Sequence, residues 1–224
     1  MRSVLALLYD VHGNLPALEA VLADARDADE YLLGGDYATF GGWPVETVER
    51  LRELPQATWI RGNVDRWLRD SSDIPEPMVA LVQRSREMIG NELCGELAEL
   101  PESTTRDGTL FCHASPSSDM NGFYPGPQES DAERLAGADV ERVVVGHTHI
   151  EFARRGPGGV QLVNPGSVGM PWDGDHRAAY AVLDGGAIEF RRVKYNWRAS
   201  VAAVRERVGE LPARRMEQAR FDVD

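Results

Sequence analysis

Short apolar runs that stop at a glycine beside a carboxylate, an amide or an imidazole recur along this chain. That recurrence limits what it can fold into. Residues 3–8 (SVLALL) lead into Tyr9-Asp10-Val11-His12-Gly13-Asn14, residues 30–33 into Gly34-Gly35-Asp36, and residues 57–60 into Arg61-Gly62-Asn63-Val64-Asp65. Further on, residues 109–112 end at His113 and residues 143–145 at Gly146-His147-Thr148-His149. Runs this short, bounded by glycine, read as buried strands. Asp10 and His12 alternate, so in extended geometry they point the same way. Leu15, Leu18, Val21 and Leu22 then follow at helical spacing. Strand, polar turn and helix in succession place side chains at the carboxyl edge of a sheet, where α/β folds bind ligands.

The remaining segments are less informative. The spacing predicts a helix over 15–26, a second from Pro44 to residue 54, and a short one over 65–68. Residues 77–100 read as one or two structural helices, interrupted at Gly90 or Gly95. From residue 104 the texture changes to short strands and turns. A helix is expected over 130–138, and a hairpin over 151–155 and 160–163 around Gly156-Pro157-Gly158-Gly159. Two strands follow at 178–183 and 187–193, then a closing helix over 197–208. The polar stretch after Pro212 reads as a tail. With 224 residues and no linker-like or repetitive segment, one domain over 1–224 is expected.

A net charge of −12 argues against nucleic-acid polymers or anionic membranes as partners, because these are held through basic patches. A small phosphate substrate stays possible, since bound cations reverse the local field of an acidic protein. Cys94 and Cys112 form no Cys-x-x-Cys pair, which fits a reduced cytoplasmic setting. Residues 1–8 are too short and too soon followed by Asp10 and His12 for a signal peptide. No apolar stretch approaches the roughly 20 residues of a membrane span.

The polar groups at the strand ends are Asp10, His12, Asp36, Asn63, His113, His147 and His149, and they include four of the five histidines. Carboxylate, imidazole and amide without thiolate suit Mn, Fe, Zn, Ni or Co and disfavour a cysteine-based structural zinc. Seven such groups are too many for one tetrahedral ion and about right for two ions sharing a carboxylate.

The order Asp10-x-His12-Gly-Asn, Gly35-Asp36, Gly62-Asn63-x-Asp65, His113, Gly146-His147-x-His149 resembles the calcineurin-like metallophosphoesterases. It looks nearest to their small bacterial and archaeal YfcE-like branch. Arg61, His113-Ala-Ser-Pro and Asn164-Pro-Gly-Ser agree, and the resemblance covers about residues 4–193, leaving a C-terminal helix and tail over 196–224. It implies two mixed β-sheets packed as a sandwich and flanked by helices, a four-layer αββα arrangement. It also implies two divalent ions, manganese first, with Fe, Zn, Ni, Co or Mg as alternatives. Asp10, His12 and His149 would hold one, Asn63, His113 and His147 the other, and Asp36 would bridge them. The chemistry implied is hydrolysis of a small phosphodiester or phosphomonoester by a metal-bridged hydroxide. Asp36, Asn63 and His147 form the catalytic group, with Asp65 supporting it by orienting His12 or a nearby amide.

Two departures stand out. Many family members carry histidine where this chain has Val64, and valine can neither donate a proton nor bind phosphate. The YfcE-like branch also lacks that histidine. General acid catalysis contributes about 10²–10⁴-fold, so a preference for acidic leaving groups is expected. Tyr9 stands where small serine is common, and both it and Tyr37 are read as packing beside the site. Asn14, Arg61 and Arg66 are candidate phosphate contacts, although the arginines fit surface ion pairs equally well. His176 reads as exposed. Trp43, Phe123, Tyr124 and Trp172 can stack a nucleobase or form an apolar lid or dimer contact, and the lid or contact is preferred. Asn164-Pro-Gly-Ser would fix a turn beneath the metals. A homo-oligomer is compatible with this reading. Two alternatives stay open: a dinucleoside polyphosphate pyrophosphohydrolase, and a protein-binding scaffold on the same fold, as in the retromer subunit. A retired site tends to lose ligands, and here all seven are present.

Overall fold

The computed structural model describes residues 3–223. Two five-stranded mixed sheets lie face to face. The first takes β1 (Val4–Leu8), β2 (Glu30–Leu33), β3 (Ala57–Trp59), β9 (Ala178–Asp184) and β10 (Ala187–Val193) in the order β10-β9-β1-β2-β3. The second takes β4 (Ser103–Arg106), β5 (Thr109–Cys112), β6 (Arg142–Val144), β7 (Phe152–Arg155) and β8 (Gln161–Asn164) in the order β4-β5-β6-β8-β7. In each sheet the central strands are parallel: β1 with β2, β2 with β3, β5 with β6, and β6 with β8. Their carboxyl ends, where the polar groups sit, therefore gather at one edge of the sandwich.

The alternation of β1 explains the layering. Leu5, Leu7 and Tyr9 enter the core between the sheets, with Leu32, Phe111, Val144 and Val163. Ala6 and Leu8 face the other way, against α1 (Leu15–Asp24) and α2 (Pro44–Arg52) through Leu18, Val21, Val48 and Leu51. Period-two alternation with both faces covered gives the uninterrupted apolar run seen in the sequence. Outside the second sheet, Leu135 next to the short α6 (Asp131–Arg134) packs on Val143, Val145 and Leu162. Helix, sheet, sheet and helix follow in that order, as the family resemblance implies.

Segment 77–100 forms two helices, α4 (Glu76–Ile89) and α5 (Asn91–Ala98). They break at Gly90, whose φ of 82° lies in the left-handed region, and α5 runs through Gly95. The helix expected over 130–138 shrinks to α6, and β4 is an edge strand too polar to announce itself. The largest difference lies at the C-terminus. After α7 (Trp197–Arg207) the chain forms α8 (Glu210–Gln218) instead of a loose tail. Pro212 falls in the first turn of α8, where a missing N–H costs nothing. Pro212, Ala213 and Met216 bury a narrow stripe, and Ala213 and Met216 pack with Val64, Trp67, Met78 and Val204 in a separate apolar cluster. The other positions of α8 are mostly polar, which gave it the look of a tail. No helix of the described residues is long and apolar enough to cross a membrane.

The two readings of the C-terminus predict different stabilities. Met216→Ala is expected to cost about 2–3 kcal/mol, as for a buried methionine truncated in a core. Urea denaturation of the full chain measures this. An unchanged midpoint would return residues 210–223 to a passive tail.

Candidate metal centre

Each expected ligand sits at the carboxyl end of a strand or just beyond it. Asp10 and His12 follow β1, Asp36 follows β2, Asn63 opens α3 (Asn63–Trp67) after β3, His113 follows β5, and His147 and His149 follow β6. Asp10, His12, Asp36, Asn63, His113 and His149 are buried, while His147 is part-exposed at the cleft.

The backbone turns unusually sharply here. Of nine non-glycine residues with positive φ among the described residues, five are Asp10 (54°), His12 (47°), Asp36 (59°), His147 (64°) and His149 (55°). Residues held in such conformations cost roughly 1–3 kcal/mol each and persist only where the surroundings over-determine them. The surroundings do so here. His12 N–H donates to Asp36 O at 2.8 Å, Gly146 N–H to His113 O at 2.7 Å, and Gly169 N–H to Asp10 O at 3.0 Å. The Asn164-Pro-Gly-Ser turn joins the loops from below. Asn164 Nδ2 donates to Gly146 O at 2.8 Å and Ser167 Oγ to Asp10 O at 2.7 Å. At two glycines the fit leaves no room for a side chain: a Cβ at Gly62 would lie 2.1 Å from Asp36 Oδ1, and one at Gly146 2.5 Å from Asp10 Oδ2.

The hydrogen bonds fix which ring nitrogens face inward. His12, His113 and His149 direct Nδ1 at backbone carbonyls of Thr39 (3.0 Å), Gly34 (2.9 Å) and Met170 (2.5 Å). In each neutral ring the proton then sits on Nδ1 and the Nε2 lone pair points into the site. His12 Nε2 and His149 Nε2 stand 3.1 Å apart. His149 Nε2 lies 3.3 Å from Asp10 Oδ1, and His113 Nε2 3.4 Å from Asp36 Oδ2. Asp10 Oδ1 and His113 Nε2 are buried with no hydrogen-bond partner. Buried lone pairs facing one another are a net liability unless a proton or a cation lies between them. Two groups satisfy the spacing of one ion each, Asp10-His12-His149 and Asp10-Asp36-His113, so the carboxylate common to both is Asp10, where the sequence places Asp36. The residues therefore fit divalent cations.

Asp10, His12 and His149 come together as the sequence expects. The other set does so in part: His113 meets both Asp10 and Asp36, while His147 Nδ1 lies 3.0 Å from Asn63 Oδ1, pairing these two with each other. The charges follow the same geometry. Burial, then the neighbouring His149, pushes His12 down to about 4. Burial, then His113, pushes His147 down to about 4. Burial opposes the charged form of His113, yet Asp36 and Asp10 outweigh it and hold it up at about 10. Burial disfavours both carboxylates, and the histidines around Asp36 and His149 beside Asp10 nonetheless keep them below the usual carboxylate range.

Several expected contacts lie elsewhere. Asn14 is buried and fully committed: Oδ1 caps α1 at Ala17 N and accepts from Ser200 Oγ, and Nδ2 donates to Gly169 O and Tyr195 Oη. It has no capacity left for phosphate. Arg61 bonds Ala98 O and Glu102, and Arg66 is clamped by Asp73 and Asp119. Neither arginine lines the cleft, so the surface-pair reading replaces the phosphate one. Asp65 does not face the cleft or touch His12. Its carboxylate accepts from the amides of Asp36 (2.7 Å), Gly62 (3.0 Å) and Tyr37 (3.2 Å), so it shapes the loop that carries Asp36 and does no direct chemistry. Burial, then Asp36, pushes Asp65 up to about 7. Tyr9 Oη donates to Val144 O, and the Tyr37 hydroxyl lies 2.6 Å from the carbonyls of Leu33 and Ile60; both phenols are structural. His176 is half-buried, stacked on Trp197 and bonded to Glu217 O.

The site floors a cleft of about 930 Å³. Val64, Tyr124 and Trp172 line it, whereas Trp43 and Phe123 do not. Its other walls, Phe40, Trp67, Met78, Met120, Arg215 and Phe221, carry no sequence signal that joins them to the site. They come from separate elements and share no spacing.

A family model described as the calcineurin-like phosphoesterase superfamily domain matches residues 4–186. The chain is 31% identical over 221 residues to the uncharacterized protein MJ0912 of Methanocaldococcus jannaschii, covering 88% of this chain and 89% of that one. Among solved structures it is similar to a metallophosphoesterase from Sphaerobacter thermophilus, with a TM-score of 0.85, 27% identity, and 98% and 100% of the two chains covered. The YfcE phosphoesterase of E. coli shares the fold at a TM-score of 0.51 and 22% identity, over 85% of this chain and 100% of that one.

Loading should be linked to protons. At pH 7.5 a His113 held at about 10 carries a proton on the nitrogen that must ligate. Manganese binding is therefore expected to release about one proton from that ring, with affinity weakening as pH falls. Isothermal titration in two buffers of different ionisation enthalpy reads the release. Identical heats in both buffers would contradict the assigned ring states.

Proposed function

The chain belongs to the calcineurin-like phosphoesterase superfamily, and from that premise we propose that it is a metal-dependent hydrolase of small phosphodiesters or phosphomonoesters that works with two divalent cations, manganese foremost. The observation that carries this is the convergence of buried ligand atoms on the cleft floor: Nε2 of His12 and His149, 3.1 Å apart beside Asp10 Oδ1, and His113 Nε2 beside Asp36 Oδ2. Divalent cations bound there supply Lewis acidity to a phosphoryl oxygen and bring the pKa of water close to neutrality.

The chain's own residues prepare the site for that chemistry. Asp36 presents Oδ2 to His12 at 3.8 Å and His113 at 3.4 Å, while Oδ1 accepts from Val64 N at 3.0 Å. One oxygen is thereby reserved for a shared role and the other fixes the loop. Asp10 likewise spends Oδ2 on His147 N, at 3.0 Å, and leaves Oδ1 to the site. The two carboxylates offset only half the charge of two divalent ions and the four neutral imidazoles offset none, so the loaded floor would be cationic and attract phosphate inside an acidic protein. His147, the part-exposed histidine of the set, lines the cleft and is neutral at pH 7, so it can ligate or contact the substrate. Val64 lines the same cleft and offers no proton to a departing group. A protein-binding scaffold would have no use for five left-handed residues pointing acceptors at one another, so the hydrolase reading is the stronger.

A panel of 4-nitrophenyl phosphate, bis(4-nitrophenyl) phosphate and a dinucleoside polyphosphate tests the assignment. Hydrolysis should require added divalent metal, and chelation should abolish it. Asp36→Asn is expected to lower kcat by at least about 10²-fold, the scale of losing a charge that acts on the reacting centre. Full activity of the metal-free protein or of Asp36→Asn would refute the proposal. Val64→His should raise turnover of esters with poor leaving groups, by up to about the 10²–10⁴-fold of general acid catalysis. A large fall with all esters would show that the valine's space serves another purpose.

A further inference from the structure

The cleft is far larger than a phosphate group requires. Beyond the metal floor it widens to a chamber walled by Trp67, Met78, Leu81, Met120, Trp172 and Phe221. Aromatic rings climb from the floor: His149 stacks on Trp172 with centroids 3.6 Å apart, and Trp172 meets Phe221 at 4.8 Å. Only three large apolar side chains are exposed among the described residues, and two of them, Tyr124 (46%) and Phe221 (50%), belong to this cleft. Leaving two aromatic rings in water beside a concave apolar chamber marks a binding surface. Arg215 adds a cation. Its guanidinium lies 4.1 Å from the Phe221 ring centre and donates to Phe221 O and Met78 Sδ; the Asp222 carboxylate acts on it electrostatically, with no carboxylate of the described residues in ion-pair contact.

The wall beside Asn63 offers no proton to a leaving group. Val64 lines it next to Asn63. Asp173 is bound to Arg192, and Asp222 is exposed at the edge. A leaving oxygen beside Val64 departs as an anion. Alkyl oxides do this poorly and aryl oxides well.

We propose that the chamber is the leaving-group site for an aryl phosphate ester, with α8 and the segment after it, through Arg215 and Phe221, forming the wall that selects an apolar planar ring. This rests on the phosphoesterase reading and names its substrate class. In the reaction the phosphorus–oxygen bond to the ring breaks and its electron pair goes to the aryl oxygen. A water oxygen takes its place on phosphorus, and the aryl oxide takes its proton from bulk water. The half-exposed Phe221 ring packs against the planar group beside Trp172, and the Arg215 charge favours the oxide as it forms.

The test compares 1-naphthyl, phenyl and octyl phosphates in two measurements on the full chain. Equilibrium binding to the metal-free protein reads the chamber alone, and KM with manganese reads it in turnover. Naphthyl phosphate is expected to bind roughly tenfold more tightly than phenyl phosphate, the order set by burying a second ring, with KM falling in parallel. Phe221→Ala should cut that ratio to about two- to threefold, because the stacked ring is lost. Equal binding of the naphthyl and phenyl esters, a preference for octyl over naphthyl, or an unchanged ratio in Phe221→Ala would each overturn the proposal. Binding separates this outcome from failure of the phosphoesterase reading: a naphthyl preference with no hydrolysis of any ester would remove the catalytic assignment and with it the leaving-group role. Hydrolysis without a naphthyl preference would remove the chamber's role alone.

Discussion

Four strand-end loops crowd carboxylate oxygens and imidazole nitrogens together in a buried pocket, and the rest of the molecule is arranged around that crowding. His12 Nε2 and His149 Nε2 at 3.1 Å, with Asp10 Oδ1 close to His149 and His113, form a pocket of acceptors. Burial makes such a pocket costly, and only positive charge relieves it. The metal-free chain supplies what it can by holding a proton on His113. The same acceptors supply ligand atoms when divalent ions take the proton's place.

Holding acceptors in opposition requires a stiff frame. Parallel strands in each sheet deliver their ends to one edge of the sandwich. Left-handed turns at Asp10, His12, Asp36, His147 and His149 then bend those ends inward. Asp65 fixes two amides of the Asp36 loop and that of Gly62 in its own, and the Asn164–Ser167 turn joins the first and second sheets beneath the site. Gly62 and Gly146 are needed for close approach, since a Cβ at either would strike a ligand carboxylate. The sandwich fold and the site are thus one construction: its frame is what lets strained ligand positions survive.

How much of this the sequence revealed depends on whether a feature was local. Strand-glycine-polar units are local, so the strands, the sandwich and the residues on the cleft floor could be read from spacing and from family resemblance. Roles set by a distant partner could not. Asn14 sits next to His12 in sequence yet is used up by Gly169, Tyr195 and Ser200. Arg66 flanks Asn63 yet is claimed by Asp73 and Asp119. Asp65 looked like a catalytic neighbour and turned out to hold backbone. Helix α8 was hidden because three buried positions among polar residues carry little periodic signal, and Pro212 resembled a stop. The apolar chamber was hidden for the same reason, its walls being scattered over α3, α4, the Met120 loop and the C-terminal segment.

On the proposed function, these buried ligand atoms hold a pair of cations about one shared aspartate. Anomalous diffraction from crystals of the full chain soaked in manganese measures this directly. Two peaks roughly 3.5–4 Å apart, one beside His12 and His149, the other beside His113, with Asp36 between them, are the predicted result. A cleft floor with no anomalous peak under saturating manganese, or peaks only at surface carboxylates, would contradict it.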